Sequence, residues 1–186
     1  MSQPAETTSE HLLQAIGQGD AQALAVLYDR CAPRLFGLIL QILKNRSDAE
    51  DVLQDTFLQV WQQAIRYDPR LARPDVWLLM LARSRSLDRL RKMQSIKRLQ
   101  ANSVTTASAS PAATEAAGLA EDRVTVCSAL CALNPEQQEP IRLAFYEGLT
   151  HVEIAQRLDL PLGTIKTRIR TGMQRLHSVL TPVGEP

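Results

Sequence analysis

Apolar residues recur at helical spacing over most of the chain. Between Gln22 and Leu43 they fall at Leu24, Leu27, Leu35, Leu38, Ile39 and Ile42, with Pro33 placed to kink or split the stretch. Ser47-Asp48-Ala49-Glu50 has the form of a capping box and opens a second helix that runs to about Ala64. Its apolar side holds Val52, Leu53, Phe57, Val60 and Trp61. A polar loop, Arg66 to Arg73, separates it from a third helix that begins near Pro74-Asp75 and continues past Lys92. Past Gln100 the pattern stops. Ala101 to Gly118 is mostly Ala, Ser and Thr, with Val104 its one larger apolar residue, too little to bury a core. It reads as a flexible linker spanning up to roughly 60 Å, with an Ala-rich helix as the alternative.

Helical spacing resumes from Asp122 to Leu133. Asn134-Pro135-Glu136 supplies a cap, a first-turn proline and a first-turn acid for the next helix. Thr150-His151-Val152-Glu153 is a further capping box. The expected fold class is all-α: one helical domain over 10–99, a flexible linker over 100–120 and a second helical domain over 121–181. Nothing in the pattern calls for a strand.

Leu149 to Arg170 reads as two short helices joined by a tight turn. In the second, Ile165, Ile169, Gly172 and Leu176 form one stripe, expected to pack on Ile154, Ala155 and Leu158 of the first. The opposite face carries Lys166, Thr167, Arg170, Thr171 and Gln174, with Arg168 and Arg175 at its flanks and no acid between Thr164 and Arg175. This is the pattern of a helix-turn-helix whose second helix enters the DNA major groove. Arg and Lys can pair with guanine edges or phosphates there, and Thr can touch thymine methyls. The plainer alternative is a solvated basic face.

Charge is divided along the first half of the chain. Asp48, Glu50, Asp51 and Asp55 lie on the second helix with Gln54 and Gln59 between them, and no Lys or Arg falls between Asp48 and Val60. An acidic face repels DNA and suits a basic protein surface. From Arg83 to Arg98 the sign reverses, with Arg83, Arg85, Arg89, Arg91, Lys92, Lys97 and Arg98 against a single acid, Asp88. Trp77 precedes this run and Tyr67 lies in the loop before it. Aromatic rings near cations fit single-stranded or melted DNA, whose bases stack while its phosphates are held. The alternatives are tryptophans in the core and solvated charge.

Composition narrows the picture. Apolar residues make up 45 % and aromatic residues only 4 %, so the cores are aliphatic. The formal net charge of +1 is low for a protein that grips DNA unaided, which points to a partner that shares the grip. No apolar run fits a membrane span, and no signal-type N-terminus is evident, so a cytoplasmic location is expected. Cys127 and Cys131 stand one helical turn apart, and a redox pair or a metal site with His151 is the chemical alternative to small core residues. No metal, no cofactor and no catalytic constellation is expected, hence no enzyme.

Three strings resemble region 2 of the sigma-70 family: Leu24 to Arg30, Asp48 to Trp61 with its DAED-x-x-Q-x-x-F-x-x-x-W pattern, and Trp77 to Arg91. The turn motif with Gly163-Thr164-Ile165-Lys166-Thr167-Arg168 resembles region 4. The small size and direct step from region 2 to region 4 resemble the extracytoplasmic-function (ECF) group. The resemblance implies an RNA polymerase sigma factor that binds core polymerase at the β′ clamp coiled coil and the β flap, recognises promoter DNA at its −10 and −35 elements, and melts it. An anti-sigma factor is a further implied partner. The linker would thread toward the polymerase active site and RNA exit path.

Carried onto this chain, polymerase contact would fall to Asp48, Glu50, Asp51, Gln54, Asp55, Phe57, Gln59 and Trp61. The −10 element would fall to Tyr67, Arg73, Trp77, Arg83, Ser84, Arg85, Asp88, Arg89, Arg91 and Lys92. The −35 element would fall to Thr164, Lys166, Thr167, Arg168, Arg170, Thr171, Gln174 and Arg175. Two positions depart from the family pattern. Ser84 replaces an Asn that helps hold a flipped base, and Arg170-Thr171-Gly172 replaces an aromatic or Arg-rich string. The rival functions are a stand-alone helix-turn-helix transcriptional regulator and a protein-interaction adaptor.

Overall fold

The computed structural model of the chain describes residues 8–101 and 133–180. The described residues form seven α-helices and one 3-10 turn, in two compact units. The expected linker, the expected helix from Asp122 to Leu133 up to residue 132, and Cys127 and Cys131 lie outside the described residues.

The first unit opens with α1 (Ser9–Gly17), which the periodicity beginning at Gln22 leaves out. Thr8 caps it, its side chain accepting from the His11 amide, and Leu12, Leu13 and Ile16 are buried. Gly17 is required by a close approach: a Cβ there would lie 3.1 Å from the backbone of Ile65. Helix α2 (Ala21–Leu43) is capped by Asp20, which accepts from the amides of Gln22 and Ala23. It runs on through Pro33 as one helix, so of the two outcomes expected there, a kink or a split, the split does not occur. Pro33 is exposed, and so is Asp29, whose carbonyl loses its helical partner and can turn to water. Leu27 on one side of the proline, and Leu35 and Ile39 on the other, are almost wholly buried and hold the two halves in line.

Helix α3 (Arg46–Gln63) starts one residue before the expected box. Its cap is Asn45, whose Oδ1 accepts from the Asp48 amide at 3.0 Å; Ser47 lies inside the first turn. After a 3-10 turn (Ala64–Arg66) and a loop, α4 (Pro74–Ala101) runs through Lys92 as expected. Helices α2, α3 and α4 pack on one another around Leu27, Leu35, Ile39, Val60 and Leu78. Two hydroxyls are fully buried there, and each is satisfied within its own helix. Thr56 donates to the Val52 carbonyl at 2.7 Å, and Ser86 to the Ala82 carbonyl at 2.7 Å.

The second unit holds α5 (Pro135–Tyr146), α6 (His151–Leu158) and α7 (Leu162–Leu180). Asn134 caps α5 by accepting from the Glu136 amide, with Pro135 at its first position. The box at α6 is complete: the Thr150 amide donates to Glu153 at 2.7 Å, and the Glu153 amide donates to the Thr150 hydroxyl at 3.3 Å. Asp159 ends α6 in the left-handed region at φ 51°, and Asp159, Leu160 and Pro161 make the turn into α7. The apolar stripe of α7 is shared between two partners. Ile165 packs with Ile154 and Leu143, while Leu176 packs with Leu133 and Ile141, and Ile169 touches both groups. The expectation that the whole stripe lies on α6 is thus corrected: its C-terminal half lies on α5. Gly172 shows why, since a Cβ there would stand 2.6 Å from Ile141 Cδ1 and 3.2 Å from Gln137 Cβ.

Candidate docking and nucleic-acid faces

Because Val52, Leu53, Thr56, Phe57 and Val60 turn inward, the outer face of α3 presents Glu50, Asp51, Gln54 and Asp55 to solvent. Glu50 is bridged to Arg46 at 2.8 Å. Three expected members of the face sit elsewhere. Phe57 is buried, its ring 4.7 Å from that of Tyr28, so it supports the helix from below. Gln59 is half-buried, donating to Gln63 at 3.2 Å and accepting from Arg85 at 2.6 Å. Asp48 keeps only 15 % of its side chain exposed because Arg89 covers it. Trp61 is no core residue; it is exposed, as are Leu58 and Ile65. Gln54, Leu58, Trp61 and Ile65 follow one another at helical spacing, so an apolar strip prolongs the acidic one. Leu58 and Ile65 escape the sequence reading, although neither fits the buried stripe and both were therefore legible as surface.

In the loop after the 3-10 turn, the Tyr67 hydroxyl donates to the Ala72 carbonyl at 2.9 Å, and its ring lies 5.4 Å from that of Trp77. Burial first, then the charges of Glu10, Asp75 and Asp68, hold the Tyr67 proton more tightly than usual. Arg73 is highly exposed and 3.4 Å from Asp75. Leu71, Val76 and Met80 are exposed apolar residues in the same part of the chain, absent from the sequence-derived set.

Along α4, Ser84, Arg91 and Lys92 are exposed, and Arg91 lies 3.4 Å from Asp88. Arg83 is half-buried, and burial followed by the charge of Arg91 lowers its proton affinity. Arg85, Asp88, Arg89 and Lys92 recur at helical spacing and turn toward α3, where they line a groove with Asp51, Val52 and Asp55. Arg89 Nε donates to Asp48 Oδ1 at 3.0 Å. That hydrogen bond, then the charges of Asp48, Asp51 and Asp55, make Arg89 hold its proton more firmly than usual. The two charged faces expected to act apart therefore meet at one seam.

In the second unit, Lys166, Thr167, Arg170, Gln174 and Arg175 are exposed on α7, joined by Met173. The Thr167 hydroxyl donates back to the Gly163 carbonyl at 2.9 Å. Thr164 is half-buried near the helix start. Two expected members of the face are turned away from it. Arg168 keeps 24 % of its side chain exposed and donates to Glu136 of α5 at 2.8 Å. Thr171 is half-buried, donating to the Thr167 carbonyl at 2.9 Å and accepting from Gln137 at 3.2 Å. The exposed strip is Lys166, Thr167, Arg170 and Gln174 with Arg175 at its flank, narrower than the sequence suggests.

Cys31 is half-buried, and burial raises its thiol pKa. Among the described residues, no group of three or more His, Cys, Asp or Glu side chains could hold a metal ion, and no helix is long and apolar enough to cross a membrane.

Sequence comparison decides the family. The model for sigma-70 region 2 matches residues 27–96, and that for sigma-70 region 4 matches residues 129–178. The ECF RNA polymerase sigma factor SigK of Mycobacterium sp. (strain JLS) is 36 % identical over 177 residues, covering 94 % of this chain and 91 % of the relative. The chain belongs to the ECF group of the sigma-70 family of RNA polymerase sigma factors. SigK of Mycolicibacterium vanbaalenii is 37 % identical over 171 residues, covering 91 % of this chain and 87 % of the relative. A crystal structure of Rhodobacter sphaeroides SigE in complex with the anti-sigma ChrR is 28 % identical, covers 94 % of this chain and 98 % of that one, and has a TM-score of 0.49. Sigma factors are transcription initiation factors, not catalytic enzymes. The region 2 match takes in most of α2, all of α3 and α4 to Ile96, and the region 4 match takes in α5, α6 and α7 to Ser178. Helix α1 precedes both.

Proposed function

We propose that the exposed strip of α3 docks on core RNA polymerase, with Asp51, Gln54 and Asp55 pairing with a basic surface and Leu58, Trp61 and Ile65 packing beside it. Glu50 borders the contact. The observation that carries this is the exposure of an acidic strip on a DNA-reading chain. Such a strip repels DNA, and its apolar continuation at Leu58 and Trp61 suits a protein partner. The β′ clamp coiled coil is that partner, and the β flap receives the second unit.

In the same reading, the −10 element meets the loop and α4. Tyr67 and Trp77 offer rings for unpaired bases, Ser84 offers one hydroxyl, and Arg73, Arg83, Arg85, Arg89, Arg91 and Lys92 supply positive charge. The −35 duplex meets Lys166, Thr167, Arg170, Gln174 and Arg175 on α7. Arg168 and Thr171 brace α7 against α5 and set its angle in the groove. The working division of the chain is 10–99, 100–120 and 121–181. The site of action is the cytoplasm, where polymerase is found, and an anti-sigma factor is the expected restraint.

Run-off transcription tests the whole assignment. Purified core polymerase and a promoter library should give transcripts from defined starts only when this chain is added. Reversing Asp51 and Asp55 to Lys should abolish capture of core polymerase while the helical circular dichroism stays unchanged. Undiminished capture would overturn the docking assignment.

A further inference from the structure

The loop that the proposed function gives to the −10 element is a fixed turn, closed at several points. Asp68-Pro69-Arg70-Leu71 is a β-turn in which the Leu71 amide donates to the Asp68 carbonyl at 3.1 Å. Pro69 presets the backbone at its second position, and Asp68 Oδ1 accepts from the Arg70 amide at 2.9 Å. The Tyr67 hydroxyl reaches across the turn to the Ala72 carbonyl at 2.9 Å and ties its two ends together. Tyr67 is itself anchored: its amide donates to the Ala64 carbonyl at 3.1 Å, and its ring lies 5.4 Å from that of Trp77 on α4. The side chain this turn presents is Leu71, 84 % exposed. Arg70 and Arg73, both exposed, flank it. A single exposed leucine needs no explanation. A leucine held out between two cations, on a turn closed three times over, does.

We propose that Leu71 enters the base stack as −10 DNA opens, and that the Tyr67 hydroxyl is the positioning group that holds it out. Arg70 and Arg73 take phosphates on either side and fix the register. An aliphatic side chain pushed between two base steps replaces their stacking contacts and kinks the duplex. On a slack loop such a wedge would fold back before the stack parted. The clasp from Tyr67 to Ala72 puts the cost of ordering the loop into folding, so it is not met again at the promoter. Burial first, then the charges of Glu10, Asp75 and Asp68, keep the phenol protonated, so the hydroxyl remains a donor. This task belongs to the hydroxyl and is separate from what the Tyr67 ring offers an unpaired base. It rests on the −10 assignment above.

The test uses the full chain on core polymerase and one promoter from the run-off library in two forms, fully paired and premelted across −10 by mismatches. The rate at which transcript-forming complexes appear is read on each. Leu71→Ala should slow the paired template on the order of tenfold and leave the premelted one at the parental rate. Leu71→Met keeps an apolar side chain of similar reach and should restore most of the loss. Tyr67→Phe keeps the ring, removes only the hydroxyl, and should slow the paired template about threefold. Joined to Leu71→Ala, it should add nothing further, because the hydroxyl acts through the leucine.

Parental opening by Leu71→Ala, or an equal loss on both templates, overturns the wedge and leaves the −10 assignment standing. Losses that multiply in the double variant overturn the positioning role of Tyr67. Opening at the parental rate by Arg73→Ala and Trp77→Ala as well would overturn the −10 assignment itself, and this role with it. The Leu71 side chain is almost wholly in solvent, so its removal leaves the fold intact. The Leu71 variants therefore carry the test even if Tyr67→Phe loosens the loop.

Discussion

Gly172 stands where α7 crosses α5, and the missing side chain sets how closely the two helices approach. In an exposed helix, Gly→Ala stabilises by about 1 kcal/mol. Here the new methyl would meet Ile141 Cδ1 at 2.6 Å and Gln137 Cβ at 3.2 Å. Ile141 is buried and its tip has little room to swing away, while Gln137 Cβ is tied to the backbone. Overpacking of this kind costs about 1–3 kcal/mol, so the balance falls on the destabilising side. Gly172→Ala should lower the urea midpoint of the second unit by the equivalent of about 1 kcal/mol, and Gly172→Leu should prevent its folding. The glycine was visible in the sequence as a weak point on an apolar stripe. Its partner was not, because periodicity places a residue on a face without saying which helix the face meets.

Arg168 and Arg170 illustrate the same limit more sharply. The sequence places Arg170 on the basic face and Arg168 at its flank, and the family resemblance gives both to DNA. The fold separates them: Arg170 is exposed, and Arg168 is tied to Glu136 at 2.8 Å. Lys166→Ala and Arg170→Ala should each weaken binding of a −35 duplex and lower the slope of log K against log salt by about one phosphate contact. Arg168→Ala should leave that slope nearly unchanged and show itself in stability. Equal slopes for all three variants would place Arg168 on the DNA.

Among elements, those announced by local chemistry were the most legible. Asn134-Pro135, Thr150-x-x-Glu153 and the break after α6 each carry their own cap, and all stand where the sequence puts them. Elements that depend on tertiary packing were less so. Pro33 reads locally as a break, yet burial on both sides carries α2 through it. The surface role of Trp61 depended on which part of a helix meets the core, and its large apolar ring pointed the other way. The cap at α6 offers a direct measure of local chemistry: Thr150→Ala removes one partner of the box and should cost about 1 kcal/mol, read as a lower melting temperature.

A pH dependence belongs to the element scale as well. Arg142 donates to Glu139 at 3.0 and 2.8 Å within α5. It also reaches Glu147 at 3.6 Å, and Arg157 of α6 meets Glu147 at 3.1 Å. The hydrogen bonds from Arg142 hold the Glu139 carboxyl below its usual pKa, against an opposing contribution from burial. A carboxyl whose pKa is depressed on folding stabilises fully above its unfolded pKa, about 4.3. That stabilisation is lost as pH falls through the lower folded value. Both side chains are more than two-fifths exposed, so the pair contributes under about 1 kcal/mol. Glu139→Gln should therefore lower the melting temperature slightly near pH 6. The gap from the parent should close as pH falls through the depressed folded value, where the parent carboxyl is protonated too.

At the scale of the molecule, the +1 net charge is the sum of local surfaces of opposite sign, which the proposed function gives to different ligands. The acidic strip of α3 and the basic strip of α7 belong to separate compact units, each with its own buried residues. Substitutions on independent bodies with no shared partner add within about 0.5 kcal/mol. Reversal of Asp51 and Asp55 should therefore abolish polymerase capture yet leave duplex binding by the α7 strip as it was in the parent chain. Lys166→Ala with Arg170→Ala should do the opposite. Promoter-specific transcription needs both engagements at once, so either set alone should silence run-off, although each leaves one binding reaction intact. A chain that acted as a free-standing DNA reader would lose activity only with the second set. Capture and duplex binding measured side by side on both variants therefore separate a polymerase-borne factor from a stand-alone regulator.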